Sequence, residues 1–139
     1  MAELIAHNRS VDTVFDLIGD LENDITKSIA WVFTKCPLFL ENIIKSLIAI
    51  DVNANDIVIR YQEYEKDKGI TDIEITDNRK FYIIIEAKRG WILPGEEQLK
   101  LYSERTEFIE SPARRKAIVS MSECTKEYAE NKLPSVSGV

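Results

Sequence analysis

A chain of 139 residues, 45% hydrophobic and 30% charged, can close one core without disulfide or metal staples, and no stretch of it approaches a bilayer-spanning run. The net charge of −6 weighs against a broad electrostatic grip on nucleic acid, yet it leaves room for a local basic patch or a bound cation. Cys36 and Cys124 have no partner spacing, which argues against a four-thiolate zinc or iron–sulfur centre, and the single His7 disfavours any mechanism that needs a histidine base beside Ser or Cys.

The amino terminus lacks a basic region followed by an apolar one, so a secretory signal is not expected and the cytoplasm is the default location. One domain over residues 1–139 is expected, and the Ser-Val-Ser-Gly-Val end, residues 135–139, reads as a connection into something further.

Helical spacing begins at Val14 and runs through Leu17, Ile18, Leu21, Ile25, Ile29, Val32 and Phe33, with Asp12 or Thr13 as the cap. Pro37 breaks this helix and suits the first turn of a second, which carries Leu38, Leu40, Ile43, Ile44, Leu47 and Ile48. Asn53, Asn55 and Asp56 form a turn ahead of a β-branched and aromatic strand, Ile57 to Gln62. Over Ile70 to Ile75, apolar Ile73 and Ile75 alternate with Asp72 and Glu74, so the two carboxylates share a face. Asp77, Asn78 and Arg79 then make a tight connection into a strand from Phe81 to Lys88.

Pro94-Gly95 opens a helix with Glu96 and Glu97 in its first turn, and Gln98, Tyr102, Arg105 and Ile109 form one stripe up to Ser111-Pro112. Lys116 to Met121 is a compact apolar strand, and Thr125 to Lys132 a short final helix. The resulting order, α, α, β, β, β, α, β, α, is that of an α/β domain with a central sheet flanked by helices.

The run Phe81 to Ile85 is apolar enough for a buried central strand, yet Glu86 and Lys88 follow on one face, where burial penalises charge. Pairing or metal binding resolves that conflict. Asp72 on the neighbouring strand is a second carboxylate, and the Ala87 carbonyl between Glu86 and Lys88 is a neutral oxygen donor. Hard oxygen donors with a lysine alongside suit phosphodiester hydrolysis, in which developing negative charge needs a cation and a positive side chain.

Asp72 followed by Glu86-Ala87-Lys88, flanked by helices, resembles the PD-(D/E)XK nuclease superfamily over nearly the whole chain. Thr71 stands where the superfamily's name has proline. Glu22, in the first long helix, resembles the helical glutamate that reaches the metal, often through water. Gln98-Leu99-Lys100-Leu101-Tyr102 resembles the Q-x-x-x-Y motif of the RecB-like branch. The resemblance implies a restriction-endonuclease-like αβββαβ core with Asp72, Glu86, Lys88 and Glu22 as the catalytic set. Asp72, Glu86, Ala87 and Glu22 would hold Mg²⁺ or Mn²⁺. Gln98 and Tyr102 would position substrate, with Arg89, Lys100, Arg105 and the Arg114 to Lys116 cluster as candidate phosphate contacts.

The implied activity is a metal-dependent nuclease that hydrolyses DNA phosphodiesters by direct water attack, in DNA repair, recombination or defence against foreign DNA. A symmetric homodimer is compatible with so small a domain. Two rivals stay open: a nuclease-fold module that binds a partner or nucleic acid without cutting, and a plain α/β domain whose acidic residues only solvate strand ends. Taken singly, Glu-x-Lys is an ordinary solvated ion pair, Glu22 a helix-surface charge and Tyr102 a core residue. Their order along the chain is what favours a site.

Overall fold

The computed structural model describes residues 5–6, 9–10, 13–14, 18–19 and 21–136. Two-residue strands β1 (Ile5–Ala6) and β2 (Arg9–Ser10) pair antiparallel. Helices α1 (Glu22–Lys35) and α2 (Pro37–Ile48) follow, then strands β3 (Val58–Glu65), β4 (Gly69–Thr76) and β5 (Phe81–Ala87). Helices α3 (Glu96–Ser103) and α4 (Thr106–Glu110) lead to β6 (Arg115–Met121) and α5 (Lys126–Lys132). The sheet order is β3-β4-β5-β6, antiparallel except for the parallel β5–β6 pair. The expected αβββαβ order and the α/β class are therefore observed, with the β1–β2 pair as an unexpected addition.

All seven residues of β5 are buried, as its apolar run requires of a central strand covered on both faces. On one face Ile73, Ile75, Phe81, Ile83 and Ile85 pack against Ala30, Phe33, Leu40 and Ile44 of α1 and α2. On the other, Tyr82 and Ile84 meet Tyr102, Phe108 and Ala113 from the α3–α4 segment. Each buried Ile, Leu or Phe side chain among these contributes roughly 1.5–3 kcal/mol through burial. Asp72 and Glu86 alternate with the first set, so both belong to the face that α3 covers.

Local chemistry sets the connections. At the β4–β5 turn, Asp77 Oδ1 accepts from the amides of Arg79, Lys80 and Phe81 while Asn78 takes a left-handed φ of 57°. This is the tight hairpin expected there. Pro37 occupies the first turn of α2, as predicted, and Thr125 caps α5 by accepting from the Tyr128 amide.

Three boundaries differ from expectation. The first helix begins at Glu22 and not near Val14, because Gly19 takes a φ of +118° and Asp24 caps the new start by accepting from the Leu21 amide. Val14, Ile18 and Leu21 lie before the helix, Thr13 does not cap it, and Asp12 and Leu17 fall outside the described residues. The first strand starts at Val58 and extends to Glu65. The segment after Gly95 is two helices, because Arg105 adopts an extended ψ of 136° and turns its side chain inward, which leaves Ile109 exposed.

Among the described residues no helix is long and apolar enough to cross a membrane.

Candidate active site

The β4–β5 ladder runs from Thr76 opposite Tyr82 to Ile73 opposite Ile85 and stops there. The next residues in that register are Asp72 and Glu86. Instead of a further ladder bond, Asp72 Oδ2 accepts from the Ala87 amide at 2.7 Å. On the other side β5 stays paired with β6 as far as Ala87 opposite Met121, and the Lys88 amide donates to the Met121 carbonyl at 2.9 Å. The two carboxylate-bearing strands thus part where their acidic side chains begin, while β5 itself remains held.

Glu86 is 2% exposed, and burial of a carboxylate demands partners. It has three. Its Oε1 faces Lys88 Nζ at 2.6 Å and accepts from Gln98 Nε2 at 2.6 Å, and its Oε2 accepts from the Tyr102 hydroxyl at 2.8 Å. Gln98 and Tyr102 are one helical turn apart on α3, so one face of that helix delivers both. The Tyr102 hydroxyl shares its one hydrogen between Glu86 and the Ile70 carbonyl, 2.7 Å away, which holds the ring against β4.

Burial raises the Asp72 carboxyl from its ordinary 3.8 to about 6. The Ala87 amide opposes this, while the neighbouring Glu86 and Glu22 charges push the value up and Lys88 pulls it down. Burial alone would lower the Lys88 ammonium, but the bonded Glu86 carboxylate, with Glu22 and Asp72 nearby, holds it above 10.5. Tyr102 is pushed upward by burial and by Glu86, so it stays a protonated donor.

Glu22 is the first residue of α1, and its Oε2 accepts from the Arg89 amide at 2.8 Å. The Tyr61 hydroxyl donates to the Asn23 carbonyl at 3.2 Å and fastens the same helix start to β3. Glu22, Asp72, Glu86 and Lys88 therefore meet at one end of the sheet: three carboxylates against one ammonium.

The phosphate-contact candidates are not gathered with them. Arg105 is 5% exposed and committed elsewhere: it donates to the carbonyls of Gly69 and Glu63 and pairs with Glu74 Oε1 at 3.3 Å. Its place is inside the fold and not on a substrate surface. Lys100 is exposed but two residues from Gln98, which turns it to the opposite side of α3. The Arg114 to Lys116 cluster starts β6, and Arg115 is opposite Phe81, at the far end of β5 from Glu86. Five residues of strand put that end about 17 Å away. Only Arg89 stands at the site's rim, where its Nε lies 3.4 Å from Glu123 Oε1. His7 falls outside the described residues.

Glu74 shares the face of Asp72, as the alternation predicted, but it is a buried ion-pair member. Besides Arg105 it accepts from Thr71 Oγ1 at 2.7 Å and from the Tyr82 hydroxyl. Nothing in the local sequence pairs Arg105 with Glu74, since that contact depends on how α3 ends. Ser120, opposite Glu86 on β6, carries no sequence signal; its buried hydroxyl has no hydrogen-bond partner among the described residues.

Among the described residues no three His, Cys, Asp or Glu side chains form a preformed metal cage. The donor set that a divalent cation would find is smaller. It consists of Asp72, whose Oδ1 makes no hydrogen bond among the described residues, with Glu86, the Ala87 carbonyl and water, and Glu22 set back on the Arg89 amide. All are hard oxygen donors, the chemistry that Mg²⁺ and Mn²⁺ prefer, and Mg²⁺ in particular keeps several waters.

Comparison with protein-family models, with curated proteins and with solved structures finds no match to this chain.

Proposed function

We propose that the chain is a Mg²⁺- or Mn²⁺-dependent nuclease of the PD-(D/E)XK type that hydrolyses DNA phosphodiesters. The observation that carries this reading is the juxtaposition of Asp72 and Glu86 at the point where β4 and β5 part, with Lys88 Nζ 2.6 Å from Glu86. The excess of carboxylates over ammonium there favours a divalent cation. Such a cation supplies charge neutralisation at the phosphoryl oxygens and lowers the pKa of water bound to it.

The side chains divide the remaining work. Asp72 and Glu86 present the oxygens, and Gln98 with Tyr102 keeps Glu86 fixed in orientation. Lys88 holds its ammonium beside the same carboxylate, where it can position a water or stabilise charge on a phosphoryl oxygen. The side chains described at the site are carboxylates, an ammonium, an amide and a phenol, which suits direct attack by water. Gln98 and Tyr102 act through Glu86 in this scheme, and substrate contact passes to the loop after Lys88. Roles in DNA repair, recombination or defence, a cytoplasmic location and a homodimer all accord with this reading.

A second reading, a nuclease-like module that binds without cutting, is favoured by one observation. Both Glu86 oxygens are already occupied by Lys88, Gln98 and Tyr102. The deciding experiment incubates single-stranded, double-stranded and branched DNA, and RNA, with Mg²⁺ or Mn²⁺, using wild type and Asp72→Ala. Cleavage by the wild type alone supports the nuclease. No cleavage of any substrate, or cleavage that survives the substitution, removes it.

A further inference from the structure

The loop between Lys88 and α3 carries an aromatic side chain that the fold's cores do not use. Trp91 is 54% exposed and lies three residues beyond Lys88. Both sides of the loop before it are fastened. The Arg89 amide donates to Glu22, the Gly90 amide donates to the Glu123 carboxylate, and the Glu123 amide donates to the Gly90 carbonyl at 3.0 Å. Gly90 makes the turn with a φ of 64°. The indole itself meets Tyr128 of α5 edge-on, with ring centres 5.0 Å apart and planes at 62°.

An indole held by one edge contact and more than half exposed is a pre-organised stacking surface, and its position follows from the same contact that anchors Glu22. Trp31, the other tryptophan, is nine residues along α1 from Glu22, about 13 Å away at helical rise. It does not share this placement.

We propose that Trp91, backed by Tyr128, is a stacking platform for an unpaired nucleobase of the strand entering the Asp72–Glu86 site; this rests on the nuclease reading of that site. The substrate class is single-stranded nucleic acid, or a duplex with an unpaired end, because bases inside a duplex already have both faces stacked. Stacking also suits an acidic protein whose rim arginine faces Glu123, since a π-contact gains little from counterion release. Affinity here therefore falls only gently with salt.

The test uses full-length protein with Trp31→Phe, so that Trp91 is the sole tryptophan and is excited selectively over the tyrosines, in EDTA so that no strand is cut. Titration with an oligothymidylate of about 12 nucleotides, within the range of single-strand sites, quenches Trp91 emission, and a blunt duplex of equal length does not. Anisotropy of a labelled oligothymidylate gives Trp91→Ala a Kd about tenfold weaker than wild type, in the range expected for losing one stacked base, while Trp91→Phe stays within a few-fold. Absence of quenching, equal quenching by blunt duplex, or equal affinity in Trp91→Ala overturns the platform. Cleavage with Mg²⁺ but no quenching rejects the platform and leaves the nuclease reading standing. Quenching with no cleavage under any metal keeps the platform as a binding site and rejects catalysis.

Discussion

Asp72 on β4 and Ala87 on β5 are joined by a carboxylate-to-amide bond of 2.7 Å, just beyond the last ladder pair, Ile73 opposite Ile85. A side chain has replaced the backbone as the partner of a strand amide. That exchange lets β4 and β5 part without stranding the Ala87 amide, and it holds a half-buried carboxylate beside Glu86.

The folded protein binds a proton at Asp72 up to about pH 6, whereas an unfolded chain releases it near 3.8. Asp72 therefore destabilises the metal-free fold when ionised, and stability from this group rises as pH falls from above 6 towards 4. Asp72→Asn relieves that penalty. In urea titrations with EDTA, the variant gains about 1 kcal/mol over wild type at pH 7.5 after allowance for solvent screening, and the gain disappears at pH 4. A gain of the same size at both pH values would contradict the assignment.

Tyr102→Phe removes the one hydroxyl hydrogen that Glu86 Oε2 and the Ile70 carbonyl share. Leaving buried acceptors unsatisfied costs about 1–3 kcal/mol in chemical denaturation. Because Glu86 loses one of its fixings, the metal concentration for half-maximal cleavage rises as well. A variant that is less stable but has an unchanged metal requirement would leave Tyr102 a purely structural residue.

Arg105→Ala strands Glu74 in the fold and lowers stability by about 3–5 kcal/mol, the range for breaking a buried pair from one side. Lys100→Ala, on the exposed face of α3, changes stability by less than about 0.5 kcal/mol. In Glu74→Gln, the loss from a subsequent Arg105→Ala shrinks, and the double-mutant cycle reports the coupling. Additive losses would show that Arg105 acts through its other partners, the Gly69 and Glu63 carbonyls and the Glu65 carboxylate, and not through Glu74.

Gly19→Ala places a methyl against the Asp24 carboxylate that caps α1, at a backbone angle that L side chains rarely adopt. Amide exchange at the start of α1 speeds up, and stability drops by about 1–2 kcal/mol from strain and the lost cap. Glu22, three residues on, loses its fixed position at the Arg89 amide. Unchanged exchange in the first turn of α1 would show that Gly19 does not define where the helix begins.

The sheet was legible because its signals are local. The apolar run Phe81 to Ile85 marks a central strand, Asp77-Asn78 a tight turn, and Ile73 with Ile75 the face opposite Asp72. The link of Gln98 and Tyr102 to one target was legible too, since a spacing of four fixes a shared helical face. Their target, Glu86, was not. Arg105 misled because helical spacing alone continues the α3 stripe, whereas the helix breaks at that residue so that its guanidinium can reach Glu74. The start of α1 misled for the same reason: apolar periodicity from Val14 outweighed one glycine. Trp91 and Ser120 carry no motif, and their significance comes only from strand register and loop contacts.

The central claim is that Asp72 and Glu86 jointly hold a divalent cation, and Mn²⁺ titration calorimetry at pH 7.5 tests it most directly. Wild type is expected to bind with measurable heat, with affinity falling as pH drops through about 6 because Asp72 takes up a proton. Asp72→Asn and Glu86→Gln each weaken binding by about tenfold or more, while Glu123→Gln, outside the pair, leaves it unchanged. Absence of Mn²⁺ binding by wild type, or equal affinity in all four proteins, would contradict the claim.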